Sequence, residues 1–193
     1  MGESSMRLVW PAQQYLPEYV KALETGWSPD NLREEAAARE ELARIATDAD
    51  LFLASLVDRT GAGDPIELLD GTTVPRLPAY RKWMWDGQFC GSIGFRWQPG
   101  TEALPPHCLG HIGYSVVPWK RRRGYATQAL REMLREARDE GLRYVEITTR
   151  VENIPSQRVI AACSGVLAEE FTAPASLGST RHRRYRVSLE TGA

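Results

Sequence analysis

The spacing of apolar positions divides the chain into short strands and amphipathic helices. Residues 7–10 read as a first strand, ended by Pro11. Over residues 13–25, Tyr15, Leu16, Tyr19, Val20 and Leu23 recur at helical intervals, and Gly26 is a fitting stop. Trp27-Ser28-Pro29-Asp30 reads as a turn, with Asp30 or Asn31 as cap for a second helix from about Leu32. That helix is expected to break near Thr47 and resume over residues 49–56. Residues 58–78 carry Gly, Asp, Thr and Pro with little periodicity, which predicts a long inserted loop. Two apolar runs, 80–85 and 89–97, flank Asp86-Gly87, a hairpin signal.

A proline-bearing connection over 98–107 leads to a strand over 109–117 and a helix over 124–140, closed by Gly141. Over 143–150, Val145, Ile147 and Thr149 alternate with Tyr144, Glu146 and Thr148, the period of a half-buried strand. A helix over 153–163, stopped by Gly165, precedes two last strands over 166–171 and 183–189. No internal repeat and no second core is visible, so residues 1–193 are read as one α/β domain.

Composition narrows the function classes. The chain has 42% hydrophobic and 25% charged residues and a net charge of −1. Those values are ordinary for a globular domain, and nucleic-acid-binding domains carry a basic excess. No apolar run approaches a membrane span, and residues 1–5 lack the basic and apolar regions of a signal peptide. Three cysteines, Cys90, Cys108 and Cys163, show no metal-ligand spacing and fit a reducing cytoplasm. The expected partners therefore include no nucleic acid, no membrane and no metal.

The strongest chemical signal is Arg121-Arg122-Arg123-Gly124-Tyr125-Ala126-Thr127, between a predicted strand and a predicted helix. Free amides and the positive end of the helix dipole make such a junction an anion site. Gly124 and Ala126 lack bulk, so an anion can approach the backbone closely. Alone, three consecutive arginines are usually a solvated patch or a weak nucleic-acid contact. A second segment, Asn153-Ile154-Pro155-Ser156-Gln157-Arg158, opens the last helix, where Asn153 and Ser156 are also plain helix caps.

The Arg-x-x-Gly-x-Ala pattern resembles the pyrophosphate-binding pattern of the GNAT superfamily of acetyltransferases, and Asn153 to Ser156 resembles that family's Asn-x-x-Ser/Ala segment. The element order resembles the family's over nearly the whole chain, with the coenzyme A core at about residues 109–165. Gly26 to Asp30, Gly110 to Tyr114 and Arg184 to Arg186 further resemble a branch of uncharacterised bacterial members. The resemblance implies a mixed, mostly antiparallel sheet of about seven strands flanked by helices, with the fourth and fifth strands splayed. It implies acetyl-CoA as cosubstrate and transfer of acetyl to a primary amine in a ternary complex, with a non-catalytic acyl-CoA-binding module as the alternative. It places Val116 and Val117 backbones, Asn153 and Ser156 on pantetheine, Arg121 and the amides of residues 122–127 on pyrophosphate, and Arg158 within reach of a phosphate. Dimerisation is common in the family and has no signature here.

One departure is informative. Many family members carry a tyrosine seven residues after the motif asparagine, as acid for the departing thiolate; here that position is Ile160. Tyr114 and Tyr125 are candidates by residue type alone. For the base, His111 is the first candidate because imidazole titrates near neutrality, and its alternative is a packed histidine. Glu146 is an alternative base, otherwise read as solvent-facing, and Asp30 is a third candidate or a cap. Trp27, Trp83, Trp85 and Trp97 are either walls of an acceptor pocket or core.

Overall fold

The computed structural model describes residues 5–190; the N-terminal reading at residues 1–4 lies outside that range. The first strand, β1 (Arg7–Val9), is followed by a 3-10 turn (Gln13–Tyr15) and α1 (Leu16–Glu24). The expected single helix over 13–25 is divided there because Pro17 lies in the first turn of α1, where a missing amide costs nothing. α2 (Glu34–Thr47) and α3 (Ala49–Ser55) are separated at the expected break. Asp48 is extended (φ −158°), and its carboxylate accepts the Leu51 amide at 2.9 Å, which caps α3.

The expected loop over 58–78 contains three two-residue strands, β2 (Val57–Asp58), β3 (Ile66–Glu67) and β4 (Thr73–Val74). Ladders that short leave no periodicity to read. β5 (Ala79–Trp85) and β6 (Phe89–Arg96) form the predicted hairpin, with Gly87 at φ +105° in the turn. β7 (Ile112–Val116), α4 (Tyr125–Asp139), β8 (Tyr144–Arg150), α5 (Ile154–Ala161), β9 (Val166–Thr172) and β10 (Arg181–Ser188) complete the order.

The strands make two main antiparallel sheets and a separate β3–β4 pair, where one sheet was expected. β1, β5, β6 and β7 lie side by side with β2 also on β5, and β8, β10 and β9 form the second sheet. β7 and β8 are the facing edges, and they form no ladder with each other. The strand over 109–117 is shorter than expected because its first residues turn toward β8. His111 donates its amide to the Glu146 carbonyl at 2.7 Å, and a Cβ on Gly110 would stand 3.1 Å from the Glu146 oxygen and Thr148 nitrogen. The sheets therefore touch at 110–111 against 146–148 and diverge beyond, the splay the sequence resemblance implied.

The first sheet buries both faces, so there are two apolar clusters, one on each face. One holds Met84, Ile93, Phe95, Ile112, Leu130, Met133, Ile147 and Val187 beneath α4. The other holds Tyr19, Trp27, Phe52, Trp83, Phe89 and Val117 beneath α1–α3. α4 buries Ala129, Leu130, Met133 and Ala137 along one stripe, and full burial of a Leu or Met is worth about 1.5–3 kcal/mol. The second cluster has a polar anchor: Glu41 accepts from the Tyr19 hydroxyl and from Arg81 Nη1 (2.8 Å).

Candidate functional site

The divergence of β7 and β8 runs from His111 toward the loop before α4. Along β7, Ile112, Tyr114 and Val116 pack toward α4. Val117 donates its amide to Cys90 O (3.0 Å), accepts from the Lys120 amide (3.0 Å) and is fully buried. The expectation that Val117 offers its backbone to a ligand is therefore corrected, since both of its groups serve the fold. Alternation turns the Val116 amide to the opposite edge, facing the divergence. The Val116 carbonyl accepts from Arg121 Nε at 3.2 Å, which folds the loop back onto β7.

The loop is built to present its amides. A 3-10 turn (Pro118–Lys120) leads into it, Arg122 has φ +61° and Gly124 has φ +79°. No side chain caps the N-terminus of α4. A Cβ on Gly124 would meet nothing within 4 Å, so the space before these amides is open. Arg121, Arg122 and Arg123 are exposed beside it, and among the described residues none has an acidic partner. Tyr125, Ala126 and Thr127 are half-buried in the first turn. These features fit the diphosphate of a coenzyme A-type ligand: an uncapped helix N-terminus, close backbone approach and cations around it.

What holds this loop in place was not legible in the sequence. Lys120 Nζ lies 2.9 Å from both carboxylate oxygens of Asp86, in the β5–β6 turn, and the Tyr125 hydroxyl donates to Asp86 Oδ2 at 2.6 Å. The side chains of Lys120 and Asp86 are only 10% and 8% exposed, which makes the pair a buried one. Burial by itself would raise the Asp86 pKa; the hydrogen bonds from Tyr125 and Lys120 outweigh it and hold the carboxyl at about 2.

Across the divergence, Asn153 Oδ1 accepts the Ser156 amide at 3.1 Å and caps α5. The Ser156 hydroxyl shares a 2.9 Å hydrogen bond with the Tyr114 hydroxyl, which also reaches the Ser156 carbonyl at 3.3 Å. Tyr114 thus bridges the gap from β7 to α5. Burial pushes its phenol up to about 12. Of the two candidate tyrosines, Tyr125 is committed to Asp86 and Tyr114 lies in the gap. Ile160 is fully buried, and a Cβ on Gly165 would collide with it at 2.3 Å. Arg158 is exposed on α5.

His111 is fully buried at the apex of the divergence. Its Nδ1 accepts the Glu146 amide at 2.9 Å, so the neutral ring carries its proton on Nε2, which has no partner among the described residues. Burial lowers its pKa. The ring nitrogen a base would use is already occupied. Glu146 differs from the solvent-facing residue expected. Its two oxygens are held by Arg186 Nη2 (2.8 Å) and Arg184 Nη1 (3.1 Å) of β10.

The remaining candidates are structural. Asp30 accepts the amides of Leu32 (2.7 Å) and Arg33 (3.0 Å) and closes the turn before α2, whose N-cap position is Arg33 rather than the expected Asp30 or Asn31. Trp27, Trp83 and Trp97 are buried in the core, and Trp85 packs on Tyr15 at 4.6 Å, so none is free to wall a pocket. Trp27 also fastens the α1–α2 turn to β7, because its Nε1 donates to Ser115 Oγ (3.0 Å), which donates to Ser28 O (3.2 Å). Among the described residues, no three His, Cys, Asp or Glu side chains converge as metal ligands, and no helix is long and apolar enough to cross a membrane.

Comparison with known proteins agrees with this geometry. The acetyltransferase (GNAT) domain family matches residues 17–165. No curated protein sequence matches the chain. Among solved structures, the chain is similar to Mycobacterium smegmatis RimJ in complex with CoA-disulfide, with 17% identity, TM-score 0.63 and coverage of 95% of this chain and 81% of that one. It is also similar to RimL, the ribosomal L7/L12 alpha-N-protein acetyltransferase in complex with coenzyme A (14% identity, TM-score 0.61, coverage 96% and 94%). A third is the microcin C7 self-immunity acetyltransferase MccE in complex with acetyl-CoA and AMP (14% identity, TM-score 0.56, coverage 95% and 92%).

Proposed function

The chain belongs to the GNAT acetyltransferase family, and from that premise we propose that it transfers acetyl from acetyl-CoA to a primary amine by direct attack in a ternary complex. The observation that carries this is the pair of unladdered facing edges, β7 and β8, together with the uncapped N-terminus of α4 that follows β7. Acetyl-CoA supplies the acyl group: the amine nitrogen forms a bond to the thioester carbon, the carbon–sulfur bond breaks with its electron pair going to sulfur, and the amine's proton passes to solvent.

The chain's own residues bind and orient. The amides of residues 122–127 and the exposed arginines hold the diphosphate, with Asp86 and Lys120 fixing the loop. The Val116 amide on the open edge of β7, with Asn153 and Ser156 on α5, lines the pantetheine path. Rate comes mainly from holding the two reactants in attack geometry and from backbone amides polarising the carbonyl. Tyr114 is the hydroxyl positioned to donate to the thiolate, in the role Ile160 cannot fill. His111 takes a positioning role, closing the apex through Nδ1. The free thiols of Cys90, Cys108 and Cys163 suit a cytoplasmic setting. A non-catalytic acyl-CoA-binding role draws support from Ile160, and the Tyr114 hydroxyl in the gap favours turnover.

Calorimetry with CoA tests the reading. Gly124→Glu places bulk and negative charge before the amides and is expected to abolish measurable binding. Gly124→Asn, an uncharged residue tolerant of positive φ, controls for backbone strain and is expected to retain binding. Equal CoA affinity in folded Gly124→Glu protein refutes the site, and a panel of amines then separates transferase from binding module.

A further inference from the structure

The two sheets are joined at the apex by a rung that is half side chain. The His111 amide donates to the Glu146 carbonyl at 2.7 Å, and the Glu146 amide donates back to His111 Nδ1 at 2.9 Å. In an ordinary ladder the second acceptor is a main-chain carbonyl. Here the His111 carbonyl is turned to β6, where it accepts the Arg96 amide at 2.9 Å. The imidazole therefore supplies the acceptor that the main chain cannot. Beyond this rung β7 and β8 form no ladder, so the rung closes the narrow end of the gap.

That acceptor exists only while the ring is neutral. A charged imidazole is a donor at both nitrogens, which would set an N–H against the Glu146 N–H in a site closed to water. Burial is the largest influence on the ring and holds its pKa below the ordinary 6.5. The groups around it do not reverse this. On β8 the Glu146 carboxylate attracts the cation, but both of its oxygens are taken by Arg184 and Arg186 of β10. On β6 Arg96 repels it. On the connection before β7, the Glu102 backbone favours the cation, while the Glu102 carboxylate is held by Arg143 at 2.8 Å and the Cys108 thiol faces the Gly110 carbonyl. Charging the ring therefore requires the rung to open.

We propose that His111 is a titratable latch on the cosubstrate site: in its neutral form Nδ1 holds β7 to β8 at the apex and shapes the gap for acetyl-CoA, and protonation in acid opens the rung and releases the cosubstrate. This rests on the acetyl-transfer reading, which puts the acyl end of the cosubstrate in that gap. It gives His111 control over binding and no share in the bond-making step. Because latch and ligand favour the same neutral ring, bound CoA must in turn keep the ring neutral to lower pH, by the same factor.

Nitrogen NMR of the isotope-labelled imidazole reads the ring directly, titrated from about pH 7.5 to about pH 5 with and without saturating CoA. Calorimetry over the same range reads CoA affinity. At neutral pH the ring is expected to show a bare Nδ1 and a protonated Nε2, and CoA is expected to move its titration to lower pH. Affinity is expected to fall by up to about tenfold per pH unit once the ring of the free protein is charged, the linkage of one proton. His111→Asn puts Oδ1 where Nδ1 stood, so it can accept the Glu146 amide and cannot ionise. It is expected to lose that acid-side fall, whatever its affinity at neutral pH. The phosphates and adenine of CoA titrate alike with both proteins, so the difference between the two carries the result. A ring titration that CoA leaves unmoved overturns the proposal, and that measurement needs no variant to fold. An equal acid-side fall in folded His111→Asn, or a wild type whose CoA affinity holds until it unfolds in acid, overturns it as well. Failure of the wild-type protein to bind CoA at neutral pH instead overturns the acetyl-transfer reading beneath it.

Discussion

Replacing Asp86 by Asn probes the anchor of the anion loop. The Asp86 carboxylate accepts from Lys120 Nζ, from the Tyr125 hydroxyl and, through Oδ1, from the Gln88 amide at 3.2 Å. Asn preserves volume and one acceptor oxygen, but it turns an NH2 toward groups that are themselves donors and leaves the Lys120 ammonium buried without its counter-charge. Removing one partner of a buried pair costs about 3–5 kcal/mol. For a domain of this size each kcal/mol lowers Tm by about 2–4 °C, so a loss of roughly 10 °C is expected. Urea melts read the stability and calorimetry reads CoA affinity, which falls as the loop loosens. The double variant Asp86→Leu/Lys120→Met removes both charges and is expected to recover most of the stability but not the loop geometry. The pH dependence follows with a definite sign. The folded pKa, about 2, lies below the ordinary 3.8, so the unfolded chain binds the proton more readily. The stabilisation is complete above about pH 4 and is lost as pH falls toward 2, a loss absent from Asp86→Asn. Asp86→Asn with wild-type stability and wild-type CoA affinity would refute the anchor.

Two further outcomes are expected beside that for Gly124. Tyr114→Phe keeps the ring but loses the hydroxyl on Ser156; a kcat lower by about 10²-fold with CoA affinity nearly intact is expected, and steady-state kinetics with unchanged kcat would remove Tyr114 from the chemistry. Burial keeps His111 neutral in the fold, with its pKa below the ordinary 6.5, so the unfolded chain binds protons more readily and stability falls as pH drops below about 6.5. Buried His182 shares that sign. Urea melts at pH 7.5 and 5.5 are expected to converge in His111→Gln/His182→Gln, and an undiminished difference would show that neither histidine carries the effect.

The sequence alone determined what depends on near neighbours. Apolar spacing located β5, β6, β8 and α4, because a half-buried strand or amphipathic helix writes its period into adjacent residues. Gly124 followed by a helix marked the amide-rich loop, and Asn153 announced its own cap, since both are local backbone requirements. The two-residue strands β2, β3 and β4 were too short to leave a pattern. Tertiary structure decided whatever needed a distant partner. Lys120 and Asp86 are 34 residues apart, and in sequence one is part of a basic run and the other part of a turn. Trp27, Trp83 and Trp97 became core, with Trp85 packed against it, because two sheet faces had to be covered. His111 reads equally as base or as packed residue until the Glu146 amide, 35 residues away, occupies Nδ1. Glu146 reads as a surface residue until β10 lays two arginines beside it. The protonation and reach of a polar side chain are fixed by the groups that surround it in space, and only the fold brings those groups together.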